Sequence, residues 1–173
     1  MREPISSLRS LWARPGFLVR RLHQISVAIF LDEMATLELT PVQYGALMIV
    51  AAKPNIDQST LAAELGVDRA NAGDVLARMS KAGYVTRTPS ANDRRFIQIK
   101  LTAEGTALLR KASARAKKVQ DRLLKPLAPG DRGVFIALMT QIINGNEHLS
   151  RAPLRSGQIA RARQVSTDAS PKS

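Results

Sequence analysis

Covalent chemistry has few tools in this chain. Among 173 residues there are two histidines, His23 and His148, and no cysteine. The histidines fall on different expected helices, and no histidine or carboxylate pair stands at metal-ligand spacing. A disulfide framework, a thiolate zinc site and a cysteine nucleophile are excluded. Asp32 and Glu33 are adjacent near the end of a helix, where solvation or capping accounts for them. An enzyme needs a clustered set of acids, bases or nucleophiles, and none is present, so neither catalytic residues nor a cofactor is expected. Hydrogen-bonding and cationic groups are what the chain holds in quantity. Lysine and arginine number 26 against 14 acids, giving a formal net charge of +12 and a pI near 11.1. That surplus favours a polyanionic partner, nucleic acid ahead of an anionic membrane.

The elements that would position those groups run from Asp57 to Leu101. Asp57 is a good N-cap for a helix with Leu61, Ala62 and Leu65 on one face, and Gly66 suits its left-handed end. Val67 fills the corner, and Asp68 caps a second helix on which Ala72, Val75, Leu76 and Met79 recur at 3.6-residue spacing. Arg69, Asn71, Asp74 and Arg78 fall outside that stripe and face outward. Beyond Gly83, Tyr84 to Thr88 and Phe96 to Leu101 read as two strands. The turn between them, Pro89 to Arg95, ends in paired arginines. Helix, tight turn, helix and hairpin make a winged helix-turn-helix. One helix fits the major groove of DNA, and a basic hairpin tip suits the neighbouring minor groove or the phosphates.

The flanking chain reads as helices. Residues 1–14 form a basic arm in which Leu8, Leu11 and Trp12 either pack on a partner or belong to a frayed end. A helix from Pro15 keeps Leu18, Leu22, Ile25 and Ile29 on one face, widened by Phe17, Val27 and Phe30, which suggests burial on two sides. Thr40, Pro41 and Gln43 spell a capping box with proline at the first helical position. Tyr44, Leu47, Met48 and Ala51 are the expected core face of the helix that follows. After the wing, Thr102 caps a long helix with Glu104 in its first turn and Leu109, Ala112, Ala116, Val119 and Leu123 along one side. Arg110, Lys111, Arg115, Lys117, Lys118 and Arg122 crowd its other sides. A last helix carries Phe135, Leu138, Met139, Ile142 and Ile143. These end helices are expected to dimerise, with a self-contained monomeric bundle as the alternative. Residues 151–173 are basic, with little periodicity, and disorder with weak affinity for DNA phosphates is expected there. The longest apolar run, Tyr44 to Ala52, falls far short of the roughly 20 residues of a membrane span. A cytoplasmic protein is expected.

Several linked motifs resemble the MarR family of bacterial transcriptional regulators. They are Leu39-Thr40-Pro41 with Gln43-Tyr44, Leu61-Ala62 through Leu65-Gly66-Val67, Asp68-Arg69-Ala70, Gly83-Tyr84-Val85 with Arg87, and Asp93-x-Arg95 before Leu101-Thr102. The similarity spans roughly Pro15 to Ile143. It implies a mainly α fold with a small β-hairpin, residues 15–150 forming the domain. Within it the winged helix-turn-helix covers about 40–101, and the dimerisation helices about 15–38 and 103–149. Two departures stand out: Gly73 weakens the recognition helix locally, for close approach to DNA or to another element, and Asp74 would repel phosphate.

The resemblance further implies a homodimer on an inverted repeat of double-stranded DNA, acting as a repressor. Arg69, Asn71 and Arg78 would face the groove, with Gln58 and Ser59 at phosphate. Arg95 would enter the minor groove while Asp93 holds the wing, and Lys81, Arg87, Arg94 and Lys100 would add phosphate contacts. A small aromatic anion, or its coenzyme A thioester, would release the DNA. Arg20, His23 and Tyr44 are the candidates for binding it. A non-specific architectural DNA-binding protein is the rival reading.

Overall fold

The computed structural model describes residues 8–89 and 97–150. In chain order the elements are α1 (Leu8–Trp12), α2 (Pro15–Met34), a 3-10 turn (Ala35–Leu37) and α3 (Pro41–Ala52). Then come β1 (Ile56–Asp57), α4 (Gln58–Leu65), α5 (Arg69–Lys81), β2 (Val85–Pro89) and β3 (Ile97–Leu101). The long helices α6 (Ala103–Leu124) and α7 (Pro129–Asn146) follow, with a last 3-10 turn at Glu147–Leu149. The fold is mainly helical with a small antiparallel sheet, as expected.

Local sequence sets most of the helix boundaries. The Thr40 hydroxyl accepts from the Gln43 amide at 3.3 Å, and the Gln43 side chain accepts from the Thr40 amide at 2.9 Å, completing the capping box. Asp68 caps α5 by accepting from the Asn71 amide at 2.8 Å. Gly66 (φ 66°) and Gly83 (φ 77°) take the left-handed conformation that any side chain would strain.

The sheet differs from a simple hairpin. Its order is β1-β3-β2, all antiparallel, so the wing's return strand is the middle one. β1 is only two residues long, set up by Asn55 in a left-handed turn (φ 70°) whose amide donates to the Ile99 carbonyl at 3.1 Å. Ile99 is therefore wholly buried.

One core gathers Phe30 and Met34 of α2, Ala46, Leu47 and Val50 of α3, Leu61 of α4, and Val75, Leu76 and Met79 of α5. Ile99 and the α6 residues Leu108, Ala112, Ala116 and Val119 close it. The α3 face is thus rotated from expectation. Leu47 is buried, but Met48 and Ala51 are exposed and Tyr44 is half-buried against Phe30, ring centroids 5.8 Å apart. The expected α2 helix shortens at Met34, where the 3-10 turn and Glu38 (φ 51°) redirect the chain.

Two arginines of α6 fasten it to α2. Arg115 donates to the Glu33 carbonyl at 2.9 Å, and Arg122 reaches Asp32 at 2.5 Å and Glu33 at 2.7 Å. Hydrogen bonds to Asp32 first and Glu33 second raise the Arg122 pKa above its ordinary value, so this cation persists throughout the working pH range. The Asp32-Glu33 pair therefore links α2 to α6, Asp32 from an exposed position and Glu33 from a half-buried one.

Among the described residues, α7 has none that is buried. Val134, Leu138 and Ile142 of that helix, and Leu18, Val19 and Ile25 of α2, are exposed apolar groups.

Candidate nucleic-acid interface

The outward side of α5 is the simplest part. With Ala72, Val75, Leu76 and Met79 buried, helical geometry leaves Arg69, Asn71, Asp74 and Arg78 exposed. Among the described residues, none of these four side chains has a hydrogen-bond or ion-pair partner, so three donors and one carboxylate face outward uncommitted. Arg78 and Lys81 also lie in the last turn, where the helix dipole favours cations.

The start of α4 is arranged differently from a bare anion site. The Asp57 carboxylate accepts from the Ser59 amide at 2.8 Å and the Thr60 amide at 3.0 Å, and takes the Thr60 hydroxyl at 2.5 Å. Those two amides are occupied and carry a negative charge beside them. The Ser59 side chain is half-buried.

Gln58 joins three elements. Its Nε2 donates to the Arg69 carbonyl at 3.2 Å, and its Oε1 accepts from Arg87 Nη2 at 3.2 Å. A Cβ built on Gly73 would lie 2.9 Å from that same Nε2. Gly73, whose presence mid-helix costs ~1 kcal/mol relative to alanine, is thus in close approach to another element, one of the two reasons the sequence offered for it. The sequence signalled the glycine but not its neighbour, which lies 15 positions earlier.

On the wing, Arg87 and Lys100 are exposed, Lys100 pairing across the strands with Thr86. Asp93, Arg94 and Arg95, on which the expected tip rests, lie outside the described residues. The base of the wing is seated on α6. Thr102 donates its hydroxyl to the Gly83 carbonyl at 2.6 Å, and its amide donates to the Tyr84 carbonyl at 3.1 Å. The same hydroxyl accepts from the Gly105 amide at 2.9 Å, and a Cβ on Gly105 would fall 2.0 Å from the Tyr84 oxygen.

The three effector candidates are not gathered within one chain. Arg20 lines a cleft of about 480 Å³ with Trp12, Phe17, Arg21 and Gln24. His23 is exposed on α2 and does not line that cleft. Tyr44 packs on Phe30, ten residues along α2 from Arg20, or about 15 Å of helix. Among the described residues no three histidines, aspartates or glutamates are placed to share a metal ion, and no helix is long and apolar enough to cross a membrane.

Residues 37–95 match a family model described as the MarR family. The transcriptional regulator HosA of Escherichia coli O157:H7 is 31% identical over 126 residues, 73% of this chain and 92% of that protein. The PcaV transcriptional regulator of Streptomyces coelicolor, solved in complex with its natural ligand, superposes with a TM-score of 0.71 at 30% identity, covering 78% of this chain and 94% of that one. The transcriptional repressor CouR, solved on a 23-mer DNA duplex, gives a TM-score of 0.73 at 28% identity over 82% of this chain and 99% of its own.

Proposed function

Because this chain belongs to the MarR family of non-enzymatic, DNA-binding transcriptional regulators, we propose that it is a cytoplasmic repressor that grips an inverted-repeat operator as a homodimer. A small aromatic anion, or its coenzyme A thioester, releases it.

One observation carries the DNA reading: among the described residues, Arg69, Asn71 and Arg78 stand uncommitted on the open side of a helix whose other side is locked into the core. Their roles are base reading and groove contact. Lys81, Arg87, Arg94 and Lys100 hold phosphates, Arg95 enters the minor groove, and Asp93 braces the wing. At the start of α4 the Ser59 hydroxyl faces the DNA phosphates, while Gln58 acts beside it through its bonds to Arg69 and Arg87. Residues 15–150 act as the family domain, with residues 1–14 as an arm. The basic segment 151–173, which lies outside the described residues, adds sequence-independent attraction to phosphate.

The homodimer is supported by exposed apolar surface at both ends of the chain. An 18-residue helix with no residue buried, beside an exposed apolar side of α2, is surface that a second copy would cover. The aromatic anion is supported by the company Arg20 keeps: Trp12 and Phe17 line the same cleft as the two arginines Arg20 and Arg21. His23, exposed on α2, and Tyr44, packed on Phe30, stand apart from that cleft within one chain. Release requires only that the ligand favour a spacing of the two recognition helices that misfits DNA.

Fluorescence anisotropy on the promoter region of the protein's own gene tests the reading. The protein should prefer that DNA to random sequence by ~10³-fold or more. Equal affinity for both would make the net charge of +12 the whole story and the protein an architectural binder.

A further inference from the structure

Gln58 is the first residue of α4, yet its side chain is spent on neither its own helix nor solvent. The amide nitrogen donates to the carbonyl of Arg69 in the first turn of the recognition helix, and the amide oxygen accepts from Arg87 of the wing strand, each at 3.2 Å. Both ends are used: the carboxamide carries a donor and an acceptor on one planar group. The Arg69 carbonyl belongs to the helix ladder with Gly73, so the Gln58 nitrogen takes its second lone pair. A Cβ on residue 73 would stand 2.9 Å from that nitrogen, so an alanine there would push the flexible amide off its seat. Three residues far apart in the sequence thus form one joint.

Arg87 is exposed, and without this joint its long side chain would be a loose cation paying entropy on every encounter with DNA. The guanidinium has five N–H donors and gives one to Gln58, which leaves others for an outside anion. We propose that Gln58 is a positioning residue that fixes Arg87 of the wing against the first turn of the recognition helix, so that helix and wing meet DNA as one body, with Gly73 as its seat. This rests on the DNA-binding reading above.

The full-length protein is titrated on its own promoter DNA over a range of salt concentrations, as wild type, Gln58→Ala, Arg87→Ala, and the pair together. Gly73→Ala is measured alone and with Gln58→Ala, and melting curves confirm that each variant is folded. Arg87→Ala should lower the slope of log K against log salt by close to 0.9, one phosphate. Gln58→Ala should lower it by nearly as much although it removes no charge, and should weaken binding about fivefold. The pair should bind no more weakly than Arg87→Ala alone. Gly73→Ala should weaken binding by no more than the fivefold of Gln58→Ala in the parent, and less than twofold beside Gln58→Ala.

An unchanged salt slope in Gln58→Ala, or losses that multiply in the pair, would overturn the joint and make Gln58 an independent contact. A Gly73→Ala loss of equal size in both backgrounds would overturn its role as the seat. A wild type that ignores its promoter DNA would overturn the DNA-binding reading instead, and the positioning role with it.

Discussion

At the scale of single residues, the division of labour follows from which polar groups are already engaged. Asp57 and Asp68 each spend a carboxylate on a helix start, and Gln58 spends its amide between two elements. Arg69, Asn71 and Arg78 have no such partner among the described residues and remain for an outside one. Specific and non-specific contacts should then separate in binding assays. Arg95→Ala should weaken binding to the protein's own operator by ~1–3 kcal/mol and relax sequence preference. Lys81→Ala should act evenly on operator and random DNA. Equal losses on both DNAs for Arg95→Ala would remove that residue from sequence reading. The capping residues were legible in the sequence because each acts within three positions of itself. The Gln58 bridge was not, since its partners lie 11 and 29 positions away.

At the scale of elements, the wing and recognition helix are carried by α6 through Thr102 and Gly105. The first turn of α6 packs so closely on the Gly83-Tyr84 turn that no side chain fits between them. Gly105→Ala should therefore destabilise the fold by ~1–3 kcal/mol despite alanine's better helix propensity, since the opposing atom is a backbone oxygen that cannot rotate away. Urea denaturation reads this as a lower midpoint, and an unchanged midpoint would show that the joint is slack. The order of the helices from α2 on, the caps at Thr40, Asp57, Asp68 and Thr102, and the α5 stripe were legible, from cap residue types and from polar residues alternating with apolar ones at helical period; the short helix α1 was not. The face of α3 was not. Its sequence, PVQYGALMIVAA, is apolar on nearly every side beyond Gln43, so no polar residue fixes the phase. β1 escaped for another reason: two residues are too few to show a period of two. The Asp32-Glu33 link escaped because its partners come from α6, 82 to 90 positions on.

At the scale of the whole molecule, the proposed dimer would bring the apolar sides of α2 and α7 together and so set the spacing between two groove readers. Ile142 lies 66% exposed on α7, so a charge there should be harmless to a monomer and harmful to an apolar interface. Ile142→Asp should shift the sedimenting species from twice 18.9 kDa toward 18.9 kDa and weaken operator binding with it. An intact assembly in that variant would move the interface elsewhere. The central claim is that two joined chains hold their α5 helices one turn of DNA apart. Footprinting on the region upstream of its own gene, with the stoichiometry of the complex measured on the same fragment, tests it most directly. The account predicts two protected half-sites in inverted repeat, centred about 10 base pairs apart, under two chains. A single protected half-site under one chain, or protection spread without preference along the fragment, would contradict it.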